Sequence, residues 1–106
     1  MSDGQQLGFR ALADPTRRDI LRLLAHREMT IAEVADNFAI TRAAVKKHLT
    51  VLHEGQLITT ETRGRTRVNA LAPGGLKQVA SWFGYFDTFW DEKLSNLKDA
   101  IEKDIQ

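Results

Sequence analysis

The chain has no cysteine among its 106 residues. Disulfides, thiolate metal sites, redox switching and cysteine nucleophiles are therefore excluded together, and nothing calls for an oxidising compartment. No apolar run approaches the roughly 18 residues of a membrane span. Residues 1–8 lack a basic stretch followed by an apolar one, so no signal peptide is expected and the expected location is cytoplasmic. There is little proline, two residues in all, and charge of one sign is nearly balanced out, leaving a net of +1. Hydrophobic residues make up 42% and charged residues 27%, a globular balance over a length that suits one ordinary domain.

The balanced charge hides a segregation. From Arg10 to Val68 there are 11 Lys/Arg against 7 Asp/Glu, and from Phe86 to Gln106 there are 3 Lys against 6 Asp/Glu. One end of the chain suits a polyanion and the other does not. No repeat and no low-complexity segment is present.

Helices dominate the first half. A short helix is expected over about Gln5–Ala13. Asp14-Pro15-Thr16 starts the next, with Asp14 as cap and Pro15 in the first turn, where no amide hydrogen is needed. Its apolar face is Ile20, Leu21, Leu23 and Leu24. Thr30-Ile31-Ala32-Glu33 reads as a capping box opening a short third helix. Asn37-Phe38-Ala39-Ile40 reads as a turn with two buried anchors. Thr41 caps a fourth helix that runs to about Glu54, with Ala44, Val45, Leu49 and Leu52 inward. Gly55 suits the left-handed residue that ends it. The period then changes from 3.6 to 2. Leu57–Thr62 and Thr66–Leu71 read as two strands around an Arg63-Gly64-Arg65 turn. Beyond Pro73-Gly74-Gly75 one continuous helical pattern runs to the end, about 30 residues and so roughly 45 Å. The order predicts a mainly α protein with a small β-hairpin: a winged helix-turn-helix, α-α-α-α-β-β-α, with a long C-terminal dimerisation helix. Residues 14–71 would form the DNA-binding core, and 5–13 and 74–105 the dimerisation helices, of a single domain.

The fourth helix carries the chemistry. With its apolar side inward, Arg42, Ala43, Lys46 and Lys47 face outward in the first two turns, followed by Thr50. That suits a helix whose N-terminal residues meet base edges in a major groove. A solvated basic face is the plain alternative. Arg63, Arg65 and Arg67 crowd the hairpin, and arginine is the residue that enters narrow minor grooves. Two basic elements in this order favour duplex DNA as partner.

Two stretches resemble the ArsR-type (arsenical-resistance repressor) winged-helix regulators: Phe9-Arg10-Ala11-Leu12-Ala13-Asp14-Pro15-Thr16-Arg17-Arg18-Asp19-Ile20-Leu21, and Thr41-Arg42-Ala43-Ala44-Val45-Lys46-Lys47-His48-Leu49-Thr50-Val51-Leu52. Gly64-Arg65 is similar to the wing of that family. The resemblance implies a homodimeric DNA-binding transcriptional regulator, usually a repressor. By match of position it implies Thr41, Arg42, Ala43, Lys46 and Lys47 as the groove-facing set. Thr30, His48, Arg63, Arg65 and Arg67 complete the candidate DNA-binding residues. Lys46 departs from the small hydroxyl residue usual at its place. Gln56 stands where the helix-ending glycine usually is, so either Gly55 caps a shorter helix or Gln56 takes a strained conformation.

Many members of that family sense metals. Here thiolates are absent and no histidine follows His53, so no metal site and no cofactor is expected. Asp87 and Asp91, four apart, read as a solvated helix face, because hard cations need more converging oxygens. His26 and His53 suit helix ends. His48 either touches a phosphate or packs at the core edge. No residues suggest catalysis, and Gly74-Gly75 has no phosphate-loop sequel.

Along the last helix Val79, Phe83, Phe86, Trp90, Leu94, Leu97, Ile101 and Ile105 are spaced by 4, 3, 4, 4, 3, 4 and 4, a seam of the coiled-coil kind. Trp82, Tyr85 and Phe89 form a second stripe. A domain this small cannot cover both, so an isologous dimer is expected, with Leu7, Phe9, Trp82, Phe86, Phe89, Trp90, Leu94 and Leu97 at its interface. A protein-interaction module on the same scaffold is the competing reading. An unidentified small-molecule or protein effector would supply regulation.

Overall fold

The computed structural model describes the backbone of residues 2–105 and the side chains of residues 2–103. Met1, Gln106 and the side chain of Ile105, the last step of the expected seam, lie outside the described residues. The elements are α1 (Asp3–Leu12), α2 (Pro15–His26), β1 (Met29–Thr30), α3 (Ile31–Ala35), α4 (Arg42–Glu54), β2 (Ile58–Arg63), β3 (Thr66–Leu71), α5 (Pro73–Gly84) and α6 (Asp87–Ile105).

Local chemistry places the helix starts. The Asp14 carboxylate accepts from the Arg17 amide at 3.0 Å, with Pro15 in the first turn of α2. Thr30 and Glu33 close a reciprocal capping box on α3, and the Thr41 hydroxyl accepts from the Ala44 amide at 3.1 Å at the head of α4. Each arrangement satisfies amides that the first turn leaves free. α1 begins two residues earlier than expected, because Ser2 and Gln5 form a capping box of their own.

The core lies where α2, α3 and α4 meet the sheet. Ile20, Leu21 and Leu24 pack with Val34, with Val45, Leu49 and Leu52, and with Leu57 and Ile58. Ala11 and Val79 join it from α1 and α5. These are the inward positions expected for α4, with Ala44 half-buried. Ile40 differs. It is 40% exposed, so the turn between α3 and α4 is anchored by half-buried Phe38 alone.

The hairpin is larger than the sequence indicates. Met29 and Thr30 form a third strand on β3, in the order β1-β3-β2, with Met29 opposite Asn69 and Thr30 opposite Val68. Two residues leave no alternation to read, so this strand is set by tertiary pairing. The buried Asn69 secures it: its side-chain amide donates to the Met29 carbonyl at 3.3 Å, and its side-chain oxygen accepts from the Thr60 hydroxyl at 3.1 Å.

At the end of α4 the left-handed residue is Gln56, at φ 61°, and Gly55 stays right-handed at φ −77°. The Leu57 amide donates to the Leu52 carbonyl at 3.0 Å and the Gln56 amide to the His53 carbonyl at 2.9 Å, the pair of bonds that closes a helix through a left-handed residue. Gly55 is needed for closeness instead. A Cβ there would stand 2.9 Å from the Leu7 carbonyl oxygen and 3.2 Å from the Ala11 methyl, so α1 rests directly on the end of α4.

The last helical pattern is also broken. α5 ends at Gly84, where the Tyr85 and Phe86 amides bond back to the Trp82 and Phe83 carbonyls at 3.3 and 2.9 Å. Such three-residue closures tighten the final turn. Glycine in a helix interior costs about 1 kcal/mol relative to alanine, and here the helix yields at that point. α5 lies on α1, tied by the Gln5 side-chain amide donating to the Gln78 carbonyl at 2.9 Å. α6 projects away, with every described side chain exposed. The radius of gyration is 18.7 Å, against about 13 Å for a compact chain of this length.

Candidate nucleic-acid interface

α4 presents Thr41, Arg42, Ala43, Lys46, Lys47 and Thr50 to solvent. The inward anchors Val45, Leu49 and Leu52 fix this rotation of the helix. Among the described residues, none of Arg42, Lys46 and Lys47 forms an ion pair.

The wing stands beside that face. A groove of about 640 Å³ runs between α4 and the hairpin. Lys46, Thr50 and His53 line one wall and Arg65, Thr66 and Arg67 the other, over a floor that includes Ile31, Leu49, Thr60 and Asn69. Three cations thus converge on one concave strip, against the single acidic side chain Glu54. A low-dielectric trough lined by one sign of charge focuses the field on a polyanion. Thr60 and Thr66 were not singled out from the sequence. Only the hairpin's register brings them to the groove, with Thr60 opposite Asn69 and Arg63 opposite Thr66.

The other expected residues sit differently. Arg63 is held by Glu28, with Nη2 3.2 Å from its carboxylate, and by Glu61 at 3.0 Å. The hydrogen bond that the guanidinium donates to Glu28 is the main reason its pKa lies above its ordinary value. Arg63 therefore braces the base of the wing, and its charge is already matched. Thr30 is half-buried, and its hydroxyl accepts from the Glu33 amide at 3.2 Å, which makes it a cap. His48 turns away from Lys46 and Lys47 and packs at the core edge. Its side chain is 23% exposed, with Nδ1 3.8 Å from the Asp14 carboxylate and 3.5 Å from Arg17 Nη1.

That corner explains the Asp14-Pro15-Thr16-Arg17 motif. Asp14 caps α2, and the bond from the Arg17 amide is the main cause of its lowered pKa. Arg17 reaches back to the end of α1, donating to the Ala11 carbonyl at 2.7 Å and the Arg10 carbonyl at 3.0 Å. The motif sets the angle between α1 and α2 and anchors both beside α4. Glu33 has a lowered pKa too, chiefly through its hydrogen bond from Arg27 and then that from the Thr30 amide.

Of the expected interface residues, Phe9, Trp82 and Phe86 cluster with Phe83 across α1 and α5: the Phe9 ring lies 5.6 Å from Trp82 and 5.9 Å from Phe83, and Trp82 lies 5.1 Å from Phe86. Phe9 and Phe86 are half-buried there, while Leu7, Trp82 and Phe83 remain exposed. The other expected ones, Phe89, Trp90, Leu94 and Leu97, are exposed on α6, as is Ile101 of the seam. Among the described residues no group of three or more His, Asp or Glu is placed to hold a metal ion. No described helix is long and apolar enough to cross a membrane.

Comparison with known proteins gives this geometry a family. A helix-turn-helix domain model matches residues 12–61. The chain is 31% identical over 86 residues to the transcriptional repressor SdpR of Bacillus subtilis, covering 81% of this chain and 96% of that protein. It superposes on the crystal structure of an ArsR family transcriptional regulator, RHA00566, with a TM-score of 0.77 at 30% identity, over 84% of this chain and 98% of the other. It also superposes on the homodimeric winged helix-turn-helix DNA-binding domain Mb0332 of Mycobacterium bovis, with a TM-score of 0.64 at 26% identity, over 89% and 84%. The wing, the helix-turn-helix and these relatives agree, and the chain belongs to the ArsR family of winged helix-turn-helix transcriptional regulators.

Proposed function

We propose that the chain acts as a homodimeric repressor that binds an imperfect palindrome in duplex DNA. The observation that carries this is the groove in which Lys46, Arg65 and Arg67 converge from two elements with no ion-pair partners among the described residues. A protein-interaction scaffold has no use for such a strip. Arg42, Ala43, Lys46, Lys47 and Thr50 would meet base edges in the major groove, with Thr41 at its rim. Arg65 and Arg67 would hold the flanking backbone or minor groove. The exposed apolar run of α6 and the exposed Leu7 and Trp82 support assembly of two copies, as does the homodimeric state of the Mb0332 domain. Occupancy of a promoter would exclude polymerase. This is binding and not catalysis, it needs neither metal nor cofactor, and its place is the cytoplasm, where its DNA target would lie. Release would come from an organic effector or a partner protein.

Selection of bound duplexes from a random pool tests the reading. An enriched, two-fold symmetric motif with half-sites about 10 base pairs apart is expected. Recovery of no common sequence would contradict it.

A further inference from the structure

The groove between α4 and the wing has a floor as well as a rim, and duplex DNA accounts for the rim alone. Lys46, Arg65 and Arg67 stand exposed along its edges. Beneath them, half-buried Ile31 and the last exposed edge of Leu49 supply side-chain carbon. The polar side chains of the floor are spent on the protein itself. The Thr60 hydroxyl donates to the Asn69 side-chain oxygen at 3.1 Å, and the Asn69 side-chain amide donates to the Met29 carbonyl at 3.3 Å. On the α4 wall the Thr50 hydroxyl donates to the Lys46 carbonyl at 2.9 Å. The neutral donors of the groove are thus taken, and the cations are free of ion pairs among the described residues. A phosphate is strongly hydrated and gains nothing from a carbon surface, so a duplex laid on the rim has no use for this floor.

We infer that the groove is the site of a small organic anion, a carboxylate on an aromatic or branched apolar body. Arg65 and Arg67 hold the carboxylate at the rim, and the body lies on Ile31, Leu49 and Thr60. The inference rests on the repressor reading and gives its effector a chemical class and a place. The volume of about 640 Å³ falls within the roughly 300–1,000 Å³ of sites that take small molecules, which pair apolar walls with a few polar groups that fix orientation. Lys46, Arg65 and Arg67 against Glu54 leave a surplus of two positive charges. A guanidinium matches a carboxylate with two parallel hydrogen bonds, and beside a low-dielectric floor such a pair is stronger than in open water. Inorganic phosphate meets the cations and leaves the floor wet. A neutral apolar molecule covers the floor and gains nothing from the rim. An amphipathic anion does both. The groups that hold it are those proposed to grip the DNA backbone, so anion and duplex exclude one another at one site. Release then needs no relay through the fold.

The probe is 2-naphthoate, added to the intact protein without DNA. Affinity is read by titration calorimetry and location by amide chemical shifts. The expected shifts centre on Leu49, Thr60 and Asn69. Binding should be at least about tenfold tighter than that of 2-naphthamide, which has the body without the charge, or of inorganic phosphate, which has charge without the body. A chain carrying both Arg65→Ala and Arg67→Ala, two exposed positions, should fold as before and bind naphthoate at least about tenfold more weakly. Shifts confined to the aromatic residues of α5 and α6 would overturn the inference. So would equal binding of the amide or of phosphate, or a groove left unshifted at millimolar naphthoate. A second measurement tests the shared site. The apparent Kd for a selected duplex should rise with naphthoate without levelling off, whereas an effector bound elsewhere raises it only to a plateau set by the coupling between sites. A plateau would overturn the competition. A duplex selection that recovers no common sequence would remove the repressor reading and leave the naphthoate titration standing, so the two failures are distinguishable.

Discussion

At the scale of single residues, the exceptions to local rules are the informative positions. The cap at Asp14, the capping box at Thr30 and the cap at Thr41 are legible in sequence because each depends on neighbours within three positions. Gln56 was open between two readings, because the choice depends on what lies above Gly55, and that is α1, more than forty residues away in the chain. Gln56→Gly should raise stability. Release from the left-handed region is worth about 1 kcal/mol or a little more, offset in part by the greater freedom of glycine in the unfolded chain. A thermal midpoint higher by a few degrees is the expected result. Gly75→Ala should do the opposite, since its Cβ would stand 1.7 Å from the Gln56 carbonyl oxygen, and a cost of about 1–3 kcal/mol is expected. Asp14 and Glu33 both have pKa values below their ordinary ones. Their contribution is therefore complete above the ordinary carboxylate range and is lost as the pH falls through the lowered values. Thermal stability should hold from neutrality down to about pH 5 and decline below about pH 4. Glu33→Gln should make that decline shallower, and an unchanged acid profile in this variant would contradict the role given to its hydrogen bonds.

At the scale of elements, α4 and the wing do different work. Arg42 stands at the head of α4, clear of the hairpin, while Arg65 lines the groove from the wing side. Arg42→Ala should cost about 1–3 kcal/mol on the selected site and relax preference at one base pair of each half-site. Arg65→Ala should weaken binding to all sequences alike and flatten its salt dependence. Equal losses for Arg42→Ala on selected and scrambled duplexes would show that this residue does not read bases. Arg63→Ala should alter binding less than Arg65→Ala, because its charge is already matched by Glu28 and Glu61. The sequence placed three arginines in the wing but could not tell them apart, because Glu28 reaches Arg63 only through the strand pairing of Met29 and Thr30. The break at Gly84 was missed for a related reason. The apolar spacing runs through it without a gap, and glycine inside a periodic pattern is compatible with either a continuous or a broken helix.

At the scale of the whole molecule, a chain of 106 residues carries a helix, α6, whose described side chains are all left exposed by its own fold. The seam and its excess over what one small core can bury were legible in sequence, and so were the two basic elements. Their convergence on one groove was not, because it depends on how the hairpin returns over α4. Trp90→Asp places a charge in the apolar face of α6, and it should convert a stable dimer into a 12.0 kDa monomer in sedimentation at micromolar concentration. Zinc, cadmium or arsenite added to the bound complex should leave it intact, since the chain offers no thiolate and no histidine after His53. The central claim is that two protomers present their cations together to one duplex. If each neutralises three or four phosphates, log K should fall against log salt with a slope of about −5 to −7. Affinity of the wild-type protein for a selected duplex, measured across a salt series, tests this most directly. A slope in that range is the predicted result, and a slope near zero would contradict the account.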